Sequence, residues 1–260
     1  DRFLSGNDGH NEIVNDTVIS MALDGDYLWA GTMDGLNRIN VRTSEVSEID
    51  LDCRPGKKQV YAISVDEQGR AWIGTKDGLH IAYTKSEKAT CLKAPGSGTA
   101  GAEIYAILPE ADTLWVGTSD HIYKYILNGF NEQSLNEPQV QYTTNSRVEQ
   151  IHRDKAGQMW FVTGAALVKQ SDEVISTVVE TPETSPSLAM LPRKPLVEDH
   201  NGNIWLGTFG NGAYQLVAGS DIIYHYTHDI SDSRSLSDNT VNCIFEDRAN
   251  GIWLGTFGAG

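Results

Sequence analysis

The chain has 260 residues, of which 35 are acidic and 20 are basic, so its formal net charge at pH 7 is −15. A negative field of this size repels phosphate backbones and anionic membrane surfaces, which disfavours nucleic acid and anionic lipid as partners. Hydrophobic residues make up 40% of the chain, which is enough for a core. No apolar run is long enough to predict a transmembrane helix.

The tryptophans of the chain form a regular ladder along the sequence. Their separations are 43, 43, 45, 45 and 48 residues, and each lies in a similar local word. A threonine follows every tryptophan by three residues, and a glycine follows by two in every word except the fourth, where Val162 takes its place. Periods in the forties are typical of β-propeller repeats. The members of the ladder are Trp29, Trp72, Trp115, Trp160, Trp205 and Trp253.

Each repeat predicts about four short strands joined by turns. An apolar run comes first, as in VYAISV at 60–65 and TVNCIFE at 240–246. A turn that begins with aspartate and ends with glycine follows in four repeats, whereas the first and third repeats have the turns LDGDY and PEADT. The tryptophan strand comes next, and a second turn and two further strands complete the unit. The turn aspartates, each six residues before its tryptophan, are Asp66, Asp154, Asp199 and Asp247.

These repeats predict an all-β fold, a β-propeller of four-stranded antiparallel blades. One small sheet cannot bury both of its faces, but sheets stacked around an axis can. We expect the tryptophans to fill the space between neighbouring blades, and the Gly-Thr pairs to let the blades approach closely. The sequence holds five whole repeats with partial units at both ends. Residues 1–260 are therefore predicted to form a single propeller domain, or a portion of a longer propeller that is about seven-bladed or tandem.

The cysteines and histidines do not form a recognisable metal or disulfide framework. Cys53, Cys91 and Cys243 are odd in number and scattered, so we expect buried packing residues. His225 and His228 would point to opposite faces of a strand, which argues against a metal site there. The sequence shows no signal peptide. We predict neither a metal nor a cofactor.

The repeated words resemble the two-component regulator propeller family. The shared pattern is an apolar residue followed by Trp-x-Gly-Thr-x-x-Gly-Leu, with Asp-x-x-Gly before it. The segment SLSDNTVNCIFEDRANGIWLGTFGAG at 235–260 is the best copy. The resemblance covers nearly the whole chain, although the fourth unit, MWFVTGAALVKQ, departs from the pattern at both glycines.

The resemblance implies the periplasmic sensor region of a hybrid two-component system histidine kinase. Members of the family typically sense oligosaccharides and work as dimers. The kinase and the segments that cross the inner membrane would lie outside this chain. We therefore expect no catalysis by the chain itself, no nucleic acid contact, an oligosaccharide ligand and a homodimer in the intact sensor.

We expect the ligand contacts in the loops that lead into the first strand of each repeat. The residues at these positions vary among the repeats, whereas the turns around the tryptophans do not. Tyr61 and Tyr105 hold equivalent or near-equivalent positions, and aromatic faces suit sugar rings. Arg147, Arg193 and Lys194 form a basic sector that suits an acidic or sulfated sugar. The loop residues considered are Asp16, Thr17, Gln59, Tyr61, Glu103, Tyr105, Arg147, Glu149, Arg193, Lys194, Asn239 and Asn242.

Two functions of other classes stay open beside the sensor. The first is a carbohydrate-active propeller enzyme, a glycosidase or lyase, and the second is a non-catalytic scaffold for protein interactions. A retaining glycosidase needs two carboxylates about 5–5.5 Å apart. The turn aspartates occur once in each of four repeats, so we expect them to be spread among the blades and to form turns rather than a catalytic pair.

Overall fold

The computed structural model describes residues 12–51, 58–92, 102–128, 130, 135, 137–172, 174–180 and 195–258. Strands and turns account for all regular structure in these ranges. The chain divides into two compact units, Asp1–Val148 and Glu149–Gly260. Within the described ranges, no helix is long and apolar enough to cross a membrane.

The first unit contains an eight-stranded and a four-stranded sheet. The eight strands follow the order β1-β2-β3-β4-β8-β7-β6-β5, and the four follow the order β12-β11-β10-β9. Neighbouring strands are antiparallel except β4 and β8. The strands are β1 (Val18–Asp24), β2 (Tyr27–Thr32), β3 (Leu36–Asn40), β4 (Val46–Leu51), β5 (Val60–Val65), β6 (Arg70–Thr75), β7 (Gly78–Tyr83), β8 (Lys88–Cys91), β9 (Ala106–Glu110), β10 (Thr113–Gly117), β11 (His121–Ile126) and β12 (Val140–Thr143).

The second unit contains two four-stranded sheets and a two-stranded sheet, each in sequential order. The strand β13 begins at the last residue of the first unit and continues into the second. The strands are β13 (Val148–Arg153), β14 (Met159–Thr163), β15 (Ala166–Ser171), β16 (Val174–Glu180), β17 (Leu196–Glu198), β18 (Ile204–Gly207), β19 (Ala213–Leu216), β20 (Ile223–Tyr226), β21 (Val241–Glu246) and β22 (Ile252–Thr256).

The outer strands of the first two repeats depart from the predicted separate blades. The strand β4 pairs in parallel with β8, with Asp50 opposite Lys88 and Leu51 opposite Ala89. The Arg38 guanidinium spans the same two repeats, since Nη1 donates to the carbonyl of Ser86 at 2.9 Å. This pairing joins the two four-stranded sheets into one and removes two free sheet edges.

Three of the tryptophans, Trp29, Trp72 and Trp160, pack against strands of the following repeat. Trp72 of β6 is fully buried in a cluster with Leu114 and Val116 of β10. Trp29 packs with residues of β5 and β6, and Trp160 packs with residues of β17 and β18. Trp253 differs, because 64% of its surface is exposed.

The prediction that the cysteines are buried packing residues is wrong for the two that the structure describes. Cys91, at the end of β8, is disulfide-bonded. Cys243 in β21 is free and exposed. Cys53 lies outside the described residues. Sequence spacing did not predict this bond.

The second turn of the fourth repeat forms even though both pattern glycines are missing. The Thr163 hydroxyl donates to the Ala166 carbonyl at 3.1 Å and accepts from the Ala166 N–H at 3.0 Å. The same bridge closes the turn in the first repeat, where the Thr32 hydroxyl donates to the Gly35 carbonyl at 3.0 Å. The threonine therefore fixes this turn more directly than the glycines do.

Candidate functional site

The first strand of a repeat begins against the Trp-x-Gly-Thr word of the repeat before it. The Ile104 N–H donates to the Thr75 carbonyl at 3.0 Å, and the Val148 N–H donates to the Thr118 carbonyl at 2.9 Å. A Cβ on Gly117 would lie 2.6 Å from Val148 Cγ1, closer than any real contact. Glycine is therefore required here, because a side chain would push the next strand away.

This junction sets the positions of the candidate ligand residues. Val60, Ile104 and Val148 each pack on the glycine of the preceding word, which makes them equivalent. Tyr61 and Tyr105 immediately follow the first two, so they occupy the same position in consecutive repeats. Gln59, Glu103 and Arg147 immediately precede the three junction residues, and so form a second equivalent set. We call Gln59, Tyr61, Glu103, Tyr105 and Arg147 the tyrosine patch.

The aromatic rings of the tyrosine patch are in direct contact. The ring centroids of Tyr61 and Tyr105 are 4.6 Å apart, with an angle of 29° between the planes. The Arg147 guanidinium carbon lies 4.9 Å from the Tyr105 ring centroid, at the distance of a cation–π interaction. Tyr105 therefore contacts both another ring and a cation, and all three side chains are half-buried.

The tyrosine hydroxyls are held by the residues two positions earlier. The Tyr61 hydroxyl donates to Oε1 of Gln59 at 2.6 Å, and the Tyr105 hydroxyl donates to Oε2 of Glu103 at 2.5 Å. Burial, the hydrogen bond to Glu103 and the Glu103 charge together raise the pKa of Tyr105 far above its usual value. Burial and the Glu103 charge raise the pKa of Tyr61 as well, while Arg147 opposes them. Both tyrosines are thus neutral, oriented groups at neutral pH.

The turn aspartates accept hydrogen bonds from groups of their own repeats. In the second repeat, Oδ1 of Asp66 accepts the N–H groups of Gln68 and Arg70, and Oδ2 accepts the Trp72 indole N–H at 2.7 Å. The same indole bond is 2.8 Å from Trp160 to Asp154 and 2.7 Å from Trp253 to Asp247. These carboxylates close the turns, and their bonds orient the indoles.

The comparison with protein families matches three segments of the chain. Residues 55–77, 196–210 and 235–258 match the family model described as two component regulator propeller. These three segments of the chain match two-component regulator propeller repeats. The matched segments include the words around Trp72, Trp205 and Trp253, so the recognised pattern is the indole, glycine and threonine junction described above. No curated protein matches the sequence.

Solved structures share the fold at low sequence identity. The extracellular domain assigned to the hybrid two component system BT3049 of B. thetaiotaomicron has a TM-score of 0.57 at 19% identity, over 98% of this chain and 39% of that one. PorZ, a surface component of the type-IX secretion system of Porphyromonas gingivalis, has a TM-score of 0.66 at 15% identity, over 92% of this chain and 37% of that one. A virginiamycin B lyase of Staphylococcus aureus has a TM-score of 0.64 at 13% identity, over 95% of this chain and 80% of that one.

These likenesses confirm the predicted fold class, an all-β propeller built from four-stranded antiparallel sheets. The chain spans about two fifths of the length of the one component and hybrid two component system domains that it matches. At these identities the neighbours establish the fold alone.

The structure brings together three of the six candidate ligand residues. Tyr61, Tyr105 and Arg147 meet in the tyrosine patch of the first unit. Asn242 lies in β21 of the second unit and is partly exposed. Arg193 and Lys194 lie outside the described residues. The predicted basic sector is therefore represented, in the part of the chain that the structure describes, by Arg147.

Sequence reasoning did not single out Asp77. This residue belongs to the turn after Trp72, and its charge contributes to the raised pKa of Tyr61, so it lies near the patch. The Thr75 hydroxyl accepts its N–H at 3.0 Å, which fixes the turn beside the junction. The available signal was the repeated Thr-x-Asp word, which occurs at Asp34 and Asp120 too.

A separate cleft of about 850 Å³ lies within the second unit. Residues of three turns line it, those that begin at Asp154, Asp199 and Val217. Its lining also includes Trp160, Ile204 and Leu216, which belong to a buried cluster of the same unit. The polar residues that line it include Lys155, Lys169, Glu198, His200, Asn201 and Asp221.

Proposed function

We propose that this chain is part of the periplasmic, ligand-sensing propeller of a hybrid two-component sensor and that its ligand is an oligosaccharide. The regulator propeller repeats support the sensor class. The tyrosine patch supports the ligand class, because stacked aromatic rings beside oriented hydrogen-bonding groups suit the apolar faces and hydroxyls of sugars. The signal would pass to a histidine kinase outside the chain.

The observation that carries the proposal is that the junction is constant among consecutive repeats, whereas side chains of the tyrosine patch differ. The junction glycines and threonines recur in consecutive repeats, whereas the residue before the junction changes each time, from Gln59 to Glu103 to Arg147. The residue after the junction is tyrosine in two repeats and glutamate in the third. Side chains that vary on a constant scaffold are where binding groups are most often placed.

The disulfide at Cys91 supports the proposed location. Disulfides persist in oxidising compartments such as the bacterial periplasm and are rare in the cytosol. The extracellular neighbours agree with this placement at the level of fold.

Signalling would follow from differential binding. A glycan that binds one arrangement of two sensor subunits more tightly shifts the population toward that arrangement. The homodimer belongs to this proposal. Light scattering of the full sensor region, with and without glycan, measures the assembly directly.

Titration of the full sensor region with a glycan library tests the proposal. We expect at least one oligosaccharide to raise the melting temperature, and calorimetry to give a Kd for it. Tyr105→Ala should weaken that Kd by at least tenfold, while Tyr105→Phe, which keeps the ring, should stay within about threefold. Tyr224→Ala, at an exposed tyrosine of β20, is the control and should leave the Kd unchanged. Equal affinities for Tyr105→Ala and Tyr224→Ala would exclude the patch as the site.

The same samples separate the sensor from a carbohydrate-active enzyme. After prolonged incubation, a sensor returns the bound oligosaccharide intact, whereas a glycosidase or lyase yields shorter products. Chromatography of the recovered sugar makes this distinction.

A further inference from the structure

The charges of the tyrosine patch are unevenly distributed. The Arg147 guanidinium carbon lies over Tyr105, 4.9 Å from the ring centroid. Oε2 of Glu103 accepts a hydrogen bond from the Tyr105 hydroxyl, and the negative charge of Glu103 raises the pKa of both tyrosines. The negative charge of Asp77 also raises the pKa of Tyr61. The charges of two carboxylates therefore act on Tyr61, against the one guanidinium of Arg147.

The position of Arg147 limits what it offers a ligand. A guanidinium that lies on an aromatic ring whose hydroxyl is bound to a carboxylate is already partly compensated. A carboxylate or sulfate that approached the rings would meet Glu103 as well as Arg147. Because like charges in a partly desolvated site repel strongly, such a ligand would lose affinity unless Glu103 were protonated or displaced.

An uncharged sugar meets no such penalty. Its hydroxyls can donate to Glu103 and Asp77 through charge-assisted hydrogen bonds and accept from Arg147. The free faces and edges of the tyrosine pair can contact its apolar C–H groups.

We propose that the tyrosine patch accepts uncharged oligosaccharides and rejects those that carry a carboxylate or sulfate at the ring pair, with Glu103 as the residue that sets this preference. The inference rests on the proposed sugar-sensing function. It reverses the acidic-sugar hypothesis, which also depended on Arg193 and Lys194, residues that lie outside the described ranges.

Matched sugar pairs test the preference. The full sensor region is titrated with each neutral oligosaccharide of a panel and with its uronate counterpart, for example galactotetraose with tetragalacturonate and cellotetraose with its glucuronate analogue. For any pair that binds, we expect the neutral member to bind at least tenfold more tightly. Glu103→Gln, which keeps an acceptor for the Tyr105 hydroxyl, should reduce that ratio at least threefold.

Glu87→Gln is the matched control, because it removes one negative charge from an exposed position of the first unit outside the patch. It should leave the ratio of affinities unchanged, which separates a local effect of Glu103 from the net charge of the protein. The charge preference would be overturned if the wild type bound the uronate of a pair more tightly than the neutral sugar. It would also be overturned if Glu103→Gln and Glu87→Gln changed the ratio of affinities equally. Either result would leave the sugar-sensing function in place. Failure of every sugar to bind would overturn both.

Discussion

The Trp205 indole donates a 3.0 Å hydrogen bond to Oδ2 of Asp199, the residue that opens the turn six positions earlier. Oδ1 of the same carboxylate accepts the N–H groups of Asn201 at 2.9 Å and Asn203 at 2.8 Å. One side chain therefore closes a turn between two strands and fixes the indole that packs with Val241 of the next sheet. This link explains why the aspartate and the tryptophan keep a constant spacing in four repeats.

Removal of this carboxylate should destabilise the second unit. Asp199→Ala leaves a largely buried indole N–H and two turn N–H groups without their acceptor, which we expect to cost about 2–4 kcal/mol of unfolding free energy. Urea denaturation measures this loss. The exposed Asp221→Ala is the comparison and should change stability by about 0.5 kcal/mol or less. A loss for Asp199→Ala as small as that for Asp221→Ala would show that the turn does not depend on the carboxylate.

The same carboxylate should make stability depend on pH. Burial alone would raise the pKa of Asp199, but the hydrogen bonds from Trp205, Asn203 and the turn backbone outweigh it and hold the pKa below its ordinary value. A lowered pKa in the folded state means that the ionised group adds stability above its unfolded pKa, about 3.9. This contribution disappears as the pH falls through the lower folded value.

Asp199→Asn isolates that contribution. The amide does not ionise, so the stability difference between wild type and Asp199→Asn should be constant from about pH 5 to 7 and should shrink below about pH 4. Urea denaturation across this range gives the two curves. Parallel curves down to pH 3 would contradict the lowered pKa.

The junction between consecutive repeats gives a third prediction. Gly117→Ala places a Cβ 2.6 Å from Val148 Cγ1 and 2.7 Å from its Cβ, so the next strand must shift. We expect a loss of about 1–3 kcal/mol, the usual range for overpacking. In the double mutant with Val148→Ala, which removes Cγ1, the total loss should be smaller than the sum of the single losses. Strict additivity in a double-mutant cycle would mean that the two residues do not compete for this space.

The sequence predicted the features that each repeat specifies locally. The spacing from Asp199 to Trp205 and the strand on either side of it follow from side chains a few residues apart, and such short-range chemistry is readable in the order of residues. The tyrosine stack was partly predictable, because Tyr61 and Tyr105 occupy one position in two repeats. The role of Asp77 was not, because it depends on how a turn of one repeat approaches the next.

The lateral contacts between repeats were not predictable in the same way. The parallel pairing of β4 with β8 joins strands that are far apart in sequence, and no local pattern distinguishes them from other outer strands. The disulfide at Cys91 is likewise a contact that folding creates and that the spacing of the cysteines does not show. An odd number of cysteines does not exclude a disulfide, because one thiol can stay free, as that of Cys243 does.

Thiol counting checks the disulfide. Since Cys243 is free and Cys91 is bonded, a chain with three cysteines should show one reactive thiol when native and three after reduction and unfolding. Cys243→Ser should remove the native signal without a change in melting temperature. Cys91→Ser should lower the stability by about 2–4 kcal/mol, because it releases a cross-link. Three reactive thiols in the native protein would contradict the bond.

A repeated contact between neighbouring sheets of the second unit gives the last prediction. The Lys155 N–H, one residue after a turn aspartate, donates to the Glu198 carboxylate at 3.0 and 3.1 Å. The His200 N–H occupies the same place one repeat later and donates to Oε1 of Glu246 at 3.0 Å. In both cases the acceptor immediately precedes the turn aspartate of the following sheet, so the contact ties consecutive turns together.

Glu246→Ala removes the acceptor from one of these ties, and the His200 amide should then exchange its hydrogen at least tenfold faster. Glu246→Gln keeps an oxygen acceptor and should show a smaller effect, which separates the loss of the bond from the loss of charge. The Gly202 amide, which donates to the Asp199 carbonyl inside its own turn, is the internal control and should keep its rate. Faster exchange at Gly202 as well would mean that the whole turn opens, and the contact between sheets would then be a consequence of turn stability rather than a tie in its own right.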